Sequence, residues 1–421
     1  MKEEKKKQKR EKKKQQKEAA LNHNGISHTY HSKILDSLDS EFGSSTPNKN
    51  RRFKLDIPTN FSIIDNPQES LEKIRDLVRA ARSYTNTKEI IIDHVDVKSH
   101  DLAAETILGY CTSEFDREKK YKLDIKGAYP SDPYLKKYIK ATGIIKNLNI
   151  KHEYLDKSEE SKLKIFRQTN GTYTHQDNVG ISDLKENTAA KFAQHINECL
   201  TSNNRQLTEV GKSLLTIYIG EIIGNAEEHS TINRWAIYGY LDNSKDGDNI
   251  CEIAIFNFGC SIADSFKAID KYSYAYKQVE PYIKMHQTNG FFSDTWTEDA
   301  LLTLVALQGD ISSKNIDSTT DRGQGTIEAI NFFQKISEEC NENEKCSAKM
   351  AILSGSTHIL FDGMYNLQEN SYGRKVIAFN KRNSLEQKPD SKYIKTLKKI
   401  NFPGTIISIR FPLEKKGTFI Q

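Results

Sequence analysis

The sequence lacks the features that fix the structure of small secreted proteins and of membrane proteins. Its 421 residues include six cysteines, and these are scattered without the short paired spacings of zinc sites or disulfide frameworks. No apolar run approaches the length that crosses a bilayer, and the Lys-rich N-terminus has no apolar signal-peptide segment. We therefore expect a soluble, cytoplasmic protein with free thiols and no membrane association.

Positive charge is concentrated in one short segment. The formal net charge of the chain is +5. Residues 1–18 contain ten Lys or Arg and four Glu, a balance of +6, which leaves −1 for the other residues. Such a tail either stays solvated or docks on the phosphates of nucleic acid, and the sequence leaves both interpretations open.

Changes in composition and periodicity divide the chain into three parts. Residues 1–52 combine the basic tail with a linker rich in Ser, Pro and Asn. Residues 53–165 alternate between strand-like and helix-like patterns, which predicts a small α/β layer domain. Residues 180–415 begin with helical patterns and continue with a hairpin. The predicted fold class is therefore α/β, as an α+β sandwich preceded by a smaller α/β domain, with first-domain strands expected at 61–64, 89–97 and 121–125.

A polar pair lies inside an apolar helical segment of the second domain. Glu221 and Asn225 are four residues apart, so they share one face of a helix whose other residues are mostly aliphatic. A carboxylate beside an amide oxygen suits a base that activates water next to a magnesium ligand. The same spacing also occurs on ordinary solvated helix edges. His229 closes the motif, and we interpret it as a structural helix-edge residue.

Three further motifs follow along the chain. Asn257-Phe-Gly259 comes at the end of the second strand of a predicted hairpin, where ligands of α/β folds commonly lie. Gly323 and Gly325 precede a predicted helix, and backbone amides exposed at a helix start suit phosphate groups. A Gly-Thr step ending at Thr405 opens the last predicted strand.

The order of these motifs resembles the GHKL ATPase superfamily, named for gyrase, heat-shock chaperone, histidine kinase and mismatch-repair ATPases. The match spans residues 187–412 and implies a Bergerat-type ATPase layer domain that binds ATP with Mg²⁺. The resemblance implies that Glu221 polarises the attacking water and that Asn225 holds Mg²⁺. The nucleotide-binding residues that it implies, besides Asn225, are Asn257, Gly259, Ile262, Gly323, Gly325, Thr326 and Thr405.

Two residues depart from the family's pattern. Asn257 stands where the family has an aspartate that accepts a hydrogen bond from the adenine amine. The Asn257 amide oxygen can accept the same bond, although its NH₂ group can also donate to the oxygen of guanine. Ser261 stands where the family has a second glycine, and a serine there costs about 1 kcal/mol if the backbone φ is positive. We predict ATP rather than GTP as the ligand.

The first domain resembles STAS-like domains, the sulfate transporter and anti-sigma antagonist family. The resemblance rests on the β-branched segment from Ile90 to Val97 and on the turn from Ala141 to Ile144. It implies a protein partner, and signalling members of the family carry a phosphorylatable serine at a strand-to-helix junction. Ser99 lies in that neighbourhood, but the surrounding motif is missing. We therefore predict that Ser99 contributes to the N-terminus of the following helix and satisfies its backbone donors.

A long insertion, about 262–322, separates the strand-end motif from the later glycine pair. Nucleotide lids are usually shorter and carry polar loops that move. We expect this insertion to close over the nucleotide, with Lys314 and Arg322 as candidate phosphate contacts.

Three functions fit these motifs. The sequence before residue 187 has no His-acidic-x-x-polar-Pro pattern, which argues against a sensor histidine kinase. Only nine residues follow Pro412, too few for the transducer domain of gyrase and mismatch-repair types. What remains is an ATP-hydrolysing conformational switch or signalling regulator, a serine/threonine kinase of the anti-sigma type, or a non-catalytic nucleotide-binding scaffold whose basic tail binds nucleic acid. A homodimer is compatible with each of them.

Overall fold

The computed structural model describes residues 30–40, 51–83, 88–118, 124–170, 181–229, 232, 234–244, 249–308, 311, 313, 324–340, 348–369 and 375–413. These residues form a mixed α/β structure with both parallel and antiparallel sheets. The coarse prediction of an α/β chain with α+β character is therefore confirmed.

The first half of the chain is built around a small parallel sheet. The strands of this half are β1 Arg52–Asp56, β2 Asn60–Phe61, β3 Glu89–Asp93, β4 Ser99–His100 and β5 Asp124–Ala128. Its helices are α1 Lys33–Ser40, α2 Pro67–Ser83, α3 Leu102–Glu118, α4 Pro133–Ala141, α5 Gly143–Asn147 and α6 Lys157–Glu160. β1, β3 and β5 pair in parallel in that order, while β2 pairs with β4. Parallel neighbours need crossover connections, and α2 and α3 supply them.

The predicted end of the strand at 89–97 and the predicted role of Ser99 are both wrong. The second strand ends at Asp93 rather than at residue 97, because the Asp93 carboxylate accepts a hydrogen bond from the Val95 backbone at 2.9 Å and turns the chain. Ser99 does not cap α3. It lies in β4, where its exposed side chain donates a hydrogen bond to the Asn60 side chain. The cap of α3 is Asp101, whose carboxylate accepts from Ala104 at 2.9 Å.

The other two first-domain strands are displaced from their predicted positions. A strand expected at 61–64 is replaced by β2, which ends at Phe61 and is followed by a turn. The strand expected at 121–125 is observed as β5, Asp124–Ala128. Both errors arise because short apolar stretches fix the existence of a strand better than its ends.

The second half of the chain is built around a seven-stranded sheet. Its strands are β6 Leu163–Thr169, β7 Arg234–Asp242, β8 Ile250–Phe258, β9 Lys349–Gly355, β10 Thr357–Phe361, β13 Ile394–Thr396 and β14 Phe402–Pro412, with a separate hairpin of β11 Gln368–Glu369 and β12 Lys375–Val376. Its helices are α7 Ile181–Thr201, α8 Glu209–His229, α9 Ile262–Lys267, α10 Tyr274–Thr288, α11 Glu298–Ala306 and α12 Gln324–Cys340. The order across the sheet is β13-β10-β9-β14-β8-β7-β6, and every pairing is antiparallel.

Both faces of this sheet are buried. Ile253 and Ile255 of β8 belong to a core formed with α7, α8, α11 and α12. Ala254 and Phe256, which alternate with them, belong to a second core that contains the side chains of α2 and α3. The first half of the chain therefore covers one face of the large sheet, and this explains why β8 is an almost continuous apolar run rather than an alternating one.

A buried carboxylate joins the two halves. Glu252 of β8 is 3% exposed and accepts hydrogen bonds from the Leu102 backbone N–H and from the Tyr138 hydroxyl, each at 2.7 Å. Leu102 is the first residue of α3, so the positive end of that helix faces the charge. Burial and the Glu252 charge raise the pKa of Tyr138 well above its usual value, and the phenol remains a donor.

None of the helices in the described ranges combines the length and apolar content that a bilayer crossing requires. Four of the cysteines are free thiols: Cys111, Cys199, Cys251 and Cys260. The basic tail lies outside the described residues.

We expect Glu252→Ala to lower the free energy of unfolding by about 2–5 kcal/mol, because it leaves two buried donors without their acceptor. Glu252→Gln keeps an acceptor oxygen and should lose less. Urea denaturation of the full chain followed by circular dichroism measures both. An alanine variant as stable as the parent would show that this contact does not hold the halves together.

Candidate functional site

An open cleft lies where α8, β8, β14 and α9 meet. Four of the residues predicted from the sequence line it: Asn225, Asn257, Ile262 and Thr405. They come from three separate segments of the chain, because Asn257 and Ile262 belong to one motif, and folding is what brings these segments together. Apolar side chains complete much of the wall, and they include Ile222, Phe266, Ala306, Ile311 and Ile407.

α8 carries the predicted polar pair on its more accessible side. The helix runs from Glu209 to His229, longer than its apolar core segment, and buries Ile219 and Ile223 against the sheet. Asn225 is exposed at the cleft, and Glu221 lies one turn earlier on the same face, half-buried. The side chain of His229 lies outside the description.

Two neighbours that sequence reasoning missed act on Glu221. Burial and the negative charge of Glu328, on α12, raise the pKa of Glu221, while the positive charge of Lys185 lowers it. Lys185 of α7 lies across α8 at Gly224, where a Cβ would come within 2.9 Å of its Nζ. A carboxylate whose pKa is raised toward neutrality is a better proton acceptor at neutral pH than an ordinary surface glutamate.

Tyr218 of α8 interacts with both Glu328 and Glu221. Burial raises its pKa to about 12, and the charge and hydrogen bond of Glu328 add to the effect. The phenol therefore stays protonated beside Glu328, one turn before Glu221 on α8. No sequence signal pointed to Tyr218, because a tyrosine on an apolar helix is usually a packing residue.

The floor of the cleft is made where the ends of β8 and β14 pair. Asn257 lies opposite Thr405 in the antiparallel register, and the Thr405 backbone N–H donates to Asn257 Oδ1 at 3.1 Å. Asn257 is 9% exposed. Because a backbone N–H can only donate, this contact fixes the orientation of the amide. The second lone pair of Oδ1 and the NH₂ group are then the parts of Asn257 that a ligand can contact.

A serine on the neighbouring strand ties the floor to α9. Ser354 Oγ lies 2.9 Å from Thr405 Oγ1, accepts from the Ile262 N–H at 2.8 Å and contacts the Gly404 carbonyl oxygen at 3.2 Å. It is 1% exposed. No sequence signal singles out Ser354, because β9 has the pattern of a plain buried strand.

Glycines at the strand ends allow the backbones of β8 and β14 to approach each other closely. Gly404 has φ +142°, and a Cβ there would lie 2.0 Å from the Asn257 carbonyl oxygen. Gly259 has φ +145° and donates its N–H to the Pro403 carbonyl at 2.9 Å. Larger residues at Gly404 would push β14 away from β8 and disturb the Asn257–Thr405 contact.

Ser261 causes no backbone strain. Its φ is −72°, and it caps α9 by a reciprocal arrangement with Asp264. The Asp264 N–H donates to Ser261 Oγ, and the Ser261 N–H donates to the Asp264 carboxylate, each at 3.1 Å. The positive φ that would make serine costly is therefore not present.

The glycine pair falls only partly within the described residues. Gly323 lies outside them, while Gly325 and Thr326 are the second and third residues of α12, which begins at Gln324. Lys314 and Arg322 also lie outside them. What the structure establishes is a helix start at this point of the sequence, packed against α8.

The described part of the predicted lid insertion is packed into the core. Trp296 and Leu301 are each 1% exposed and belong to the same hydrophobic core as α8. Thr297 caps α11 by accepting from the Ala300 backbone. Beyond residue 308, only Ile311 and Ser313 of the insertion are described, and both line the cleft.

Comparison with protein-family models, with curated proteins and with solved structures finds no match to this chain. The GHKL and STAS-like resemblances remain interpretations of the motifs. In the parts of the chain that are described, no group of three or more His, Cys, Asp or Glu side chains is arranged to hold a metal ion.

We expect Glu328→Gln to lower the pKa of Glu221, because it removes a neighbouring negative charge while keeping the size of the side chain. A carboxyl-carbon NMR titration of the full chain measures the shift. Glu338→Gln is the matched control, since Glu338 is an exposed residue later on the same helix. An unchanged pKa in Glu328→Gln would remove Glu328 from the electrostatics of this site.

Proposed function

We propose that the cleft binds ATP with Mg²⁺ and that the chain is an ATP-hydrolysing conformational switch. The observation that carries the proposal is the convergence of Asn225, Asn257, Ile262 and Thr405 on one cleft. The residues were selected by sequence motifs alone, and motifs that match by chance have no reason to meet in space. The GHKL resemblance is the second support, because it implies a nucleotide role for each of the four.

The closed end of the cleft suits the adenine base. The Asn257 amide offers an oxygen lone pair beside an NH₂ group, and that pair of groups matches the amine and adjacent ring nitrogen of adenine. Ile262 and Phe266 give apolar wall area against which a planar base can pack. Thr405 contributes a hydroxyl next to Asn257.

The open end of the cleft suits the phosphates. Asn225 is a neutral oxygen ligand exposed at the rim, and Mg²⁺ in nucleotide sites is usually held by one or two protein oxygens together with phosphates and water. Asn225 therefore fits as the residue that would hold the ion. When bound, Mg²⁺ would neutralise the charge on the phosphates. The first turn of α12, with Gly325, would add backbone donors.

Glu221 is the residue to which we assign proton acceptance from the attacking water. It lies one helical turn from Asn225, and burial and Glu328 raise its pKa. The positive charge of Lys185 opposes that shift and favours the ionised carboxylate. The proton from water would pass to the Glu221 carboxylate as the oxygen attacks the terminal phosphate.

The contacts of α8 and β8 link the cleft to the first half of the chain, and this link favours a conformational switch. α8 packs against α7 and α12, and β8 carries both Asn257 at the cleft and Glu252 at the joint with the first half. Nucleotide binding at one end of β8 therefore acts on a strand that also holds α3. Coupling through a contiguous element of this kind is a physical route from ligand to partner surface.

We expect Mg-ATP to protect Cys260 from thiol-reactive reagents. Cys260 lines the cleft and is partly exposed, whereas Cys111, Cys199 and Cys251 are buried. Peptide mass spectrometry of maleimide-treated protein should show labelling of Cys260 slowed at least tenfold by Mg-ATP, and less by Mg-GTP. Equal labelling with and without nucleotide would contradict binding in this cleft, and stronger protection by GTP would reverse the base assignment.

We expect Glu221→Gln to lower phosphate release by about 10²–10⁴-fold while nucleotide affinity stays within threefold, because general-base contributions are of that size. Glu209→Gln, an exposed position in the first turn of the same helix, is the matched control. Phosphate transferred to a serine such as Ser99 in the parent protein would indicate a kinase instead. No turnover in the parent, with binding intact, would leave a nucleotide-binding scaffold.

A further inference from the structure

Two glycines leave a groove along α8 beside the predicted polar pair. Gly220 and Gly224 directly precede Glu221 and Asn225, so they lie one helical turn apart on an adjoining face of the helix. Apart from the helix itself, a Cβ atom built at either glycine meets only the side chain of Lys185 within 4 Å among the described residues. One side chain, which comes from α7, therefore occupies the groove.

Lys185 extends along this groove toward the turn that carries Asn225. Its Cε lies 3.9 Å from the Cβ position of Gly220, whereas Cε and Nζ lie 3.7 Å and 2.9 Å from the Cβ position of Gly224. The ammonium group is therefore at the Gly224 end of the groove. Asn225, the next residue, lines the cleft and is exposed there. The positive charge of Lys185 thus lies beside the residue that would hold Mg²⁺.

No ion pair within the described ranges takes up the charge of Lys185. None of the described carboxylate oxygens lies within 4.0 Å of its Nζ. Its influence on Glu221 is that of a nearby charge, which opposes the effects of burial and of Glu328. Lys375, by contrast, already contacts Glu328 at 3.6 Å. The Lys185 ammonium is therefore available to an anionic ligand.

The cleft needs a cation if its ligand is a nucleoside triphosphate. The described residues that line it include no Lys or Arg. The phosphates of ATP carry more negative charge than one Mg²⁺ neutralises, and many nucleotide sites add a lysine that contacts them. An ammonium group is a compact charge with several donors, which suits phosphate oxygens. Lys185 can supply this charge from the neighbouring helix.

We propose that Lys185 binds the terminal phosphate of the nucleotide and makes the cleft prefer ATP to ADP. This role rests on the proposed function. The Lys185 charge acts on Glu221, to which we assign the attacking water, so the ammonium lies on the side of the terminal phosphate rather than of the base. ADP lacks that phosphate and gains nothing from the contact. A preference of this kind lets a switch distinguish its two nucleotide states.

Lys185→Met tests the contact, because it removes the charge and keeps a long unbranched side chain. Isothermal titration of the full chain with Mg²⁺ measures the affinity for ADP and for AMP-PNP, a non-hydrolysable ATP analogue. We expect Lys185→Met to weaken AMP-PNP binding by about tenfold or more and to change ADP affinity by less than about threefold, because a charge-assisted hydrogen bond to one phosphate is lost. Lys191→Met, at an exposed position of the same helix, is the matched control.

The two glycines give a second test that keeps Lys185 itself. Gly224→Ala places a Cβ 2.9 Å from Nζ, which is too close, so the ammonium must move. Gly220→Ala places a Cβ 3.9 Å from Cε, which is an ordinary contact. Both changes replace a helical glycine and stabilise the helix by similar amounts. We expect Gly224→Ala, and not Gly220→Ala, to lower the preference for AMP-PNP over ADP by about threefold or more.

Nucleotide binding by the parent protein is measured first. Binding of neither nucleotide by the parent would overturn the proposed function together with the role of Lys185. With binding established, an unchanged preference in Lys185→Met would overturn the role of Lys185 and leave nucleotide binding in the cleft intact. An equal loss of preference in the two alanine variants would assign the preference to the helix rather than to the ammonium group.

Discussion

The structure depends on the burial of both faces of one antiparallel sheet, and the Glu252 carboxylate is the polar contact at which that burial is most demanding. An isolated charge on a fully covered strand would cost several kcal/mol. The Leu102 N–H at the start of α3 and the Tyr138 hydroxyl satisfy it, at 2.7 Å each. A shift in the register between the two halves would separate the Glu252 carboxylate from both of these donors.

The same burial shapes the cleft. Asn257 and Glu252 lie on one strand, five residues apart and on opposite faces of the sheet. The face that carries Asn257 packs under α8, and the strand end leaves that core where Gly404 allows β14 to approach. The Asn257 amide is thus positioned by the pairing of two strands rather than by a loop, and side chains on strands are held more precisely than side chains on loops.

The sequence predicts local interactions of this structure and misses interactions between residues that are distant in the chain. Asp132 caps α4 and Thr297 caps α11 through contacts within three residues along the chain, and four motif residues meet in the cleft. Ser354 and Glu328 were missed, because their importance comes only from neighbours distant in sequence. The error at Ser99 has the same origin: Asp101, two residues later, forms the cap once β4 pairs with β2.

The long insertion after Ile262, which the sequence predicts to be one lid, contains two parts with different positions in the structure. Trp296 and Leu301 are core residues, so α11 and the segment before it cannot leave the sheet without exposing a large apolar area. Ile311 and Ser313, a few residues later, line the cleft instead. The described helices of the insertion are therefore anchored in the core, while two of its residues form part of the cleft wall. An insertion held by so large a buried apolar area cannot move as one unit, because lifting it from the sheet would return that area to water.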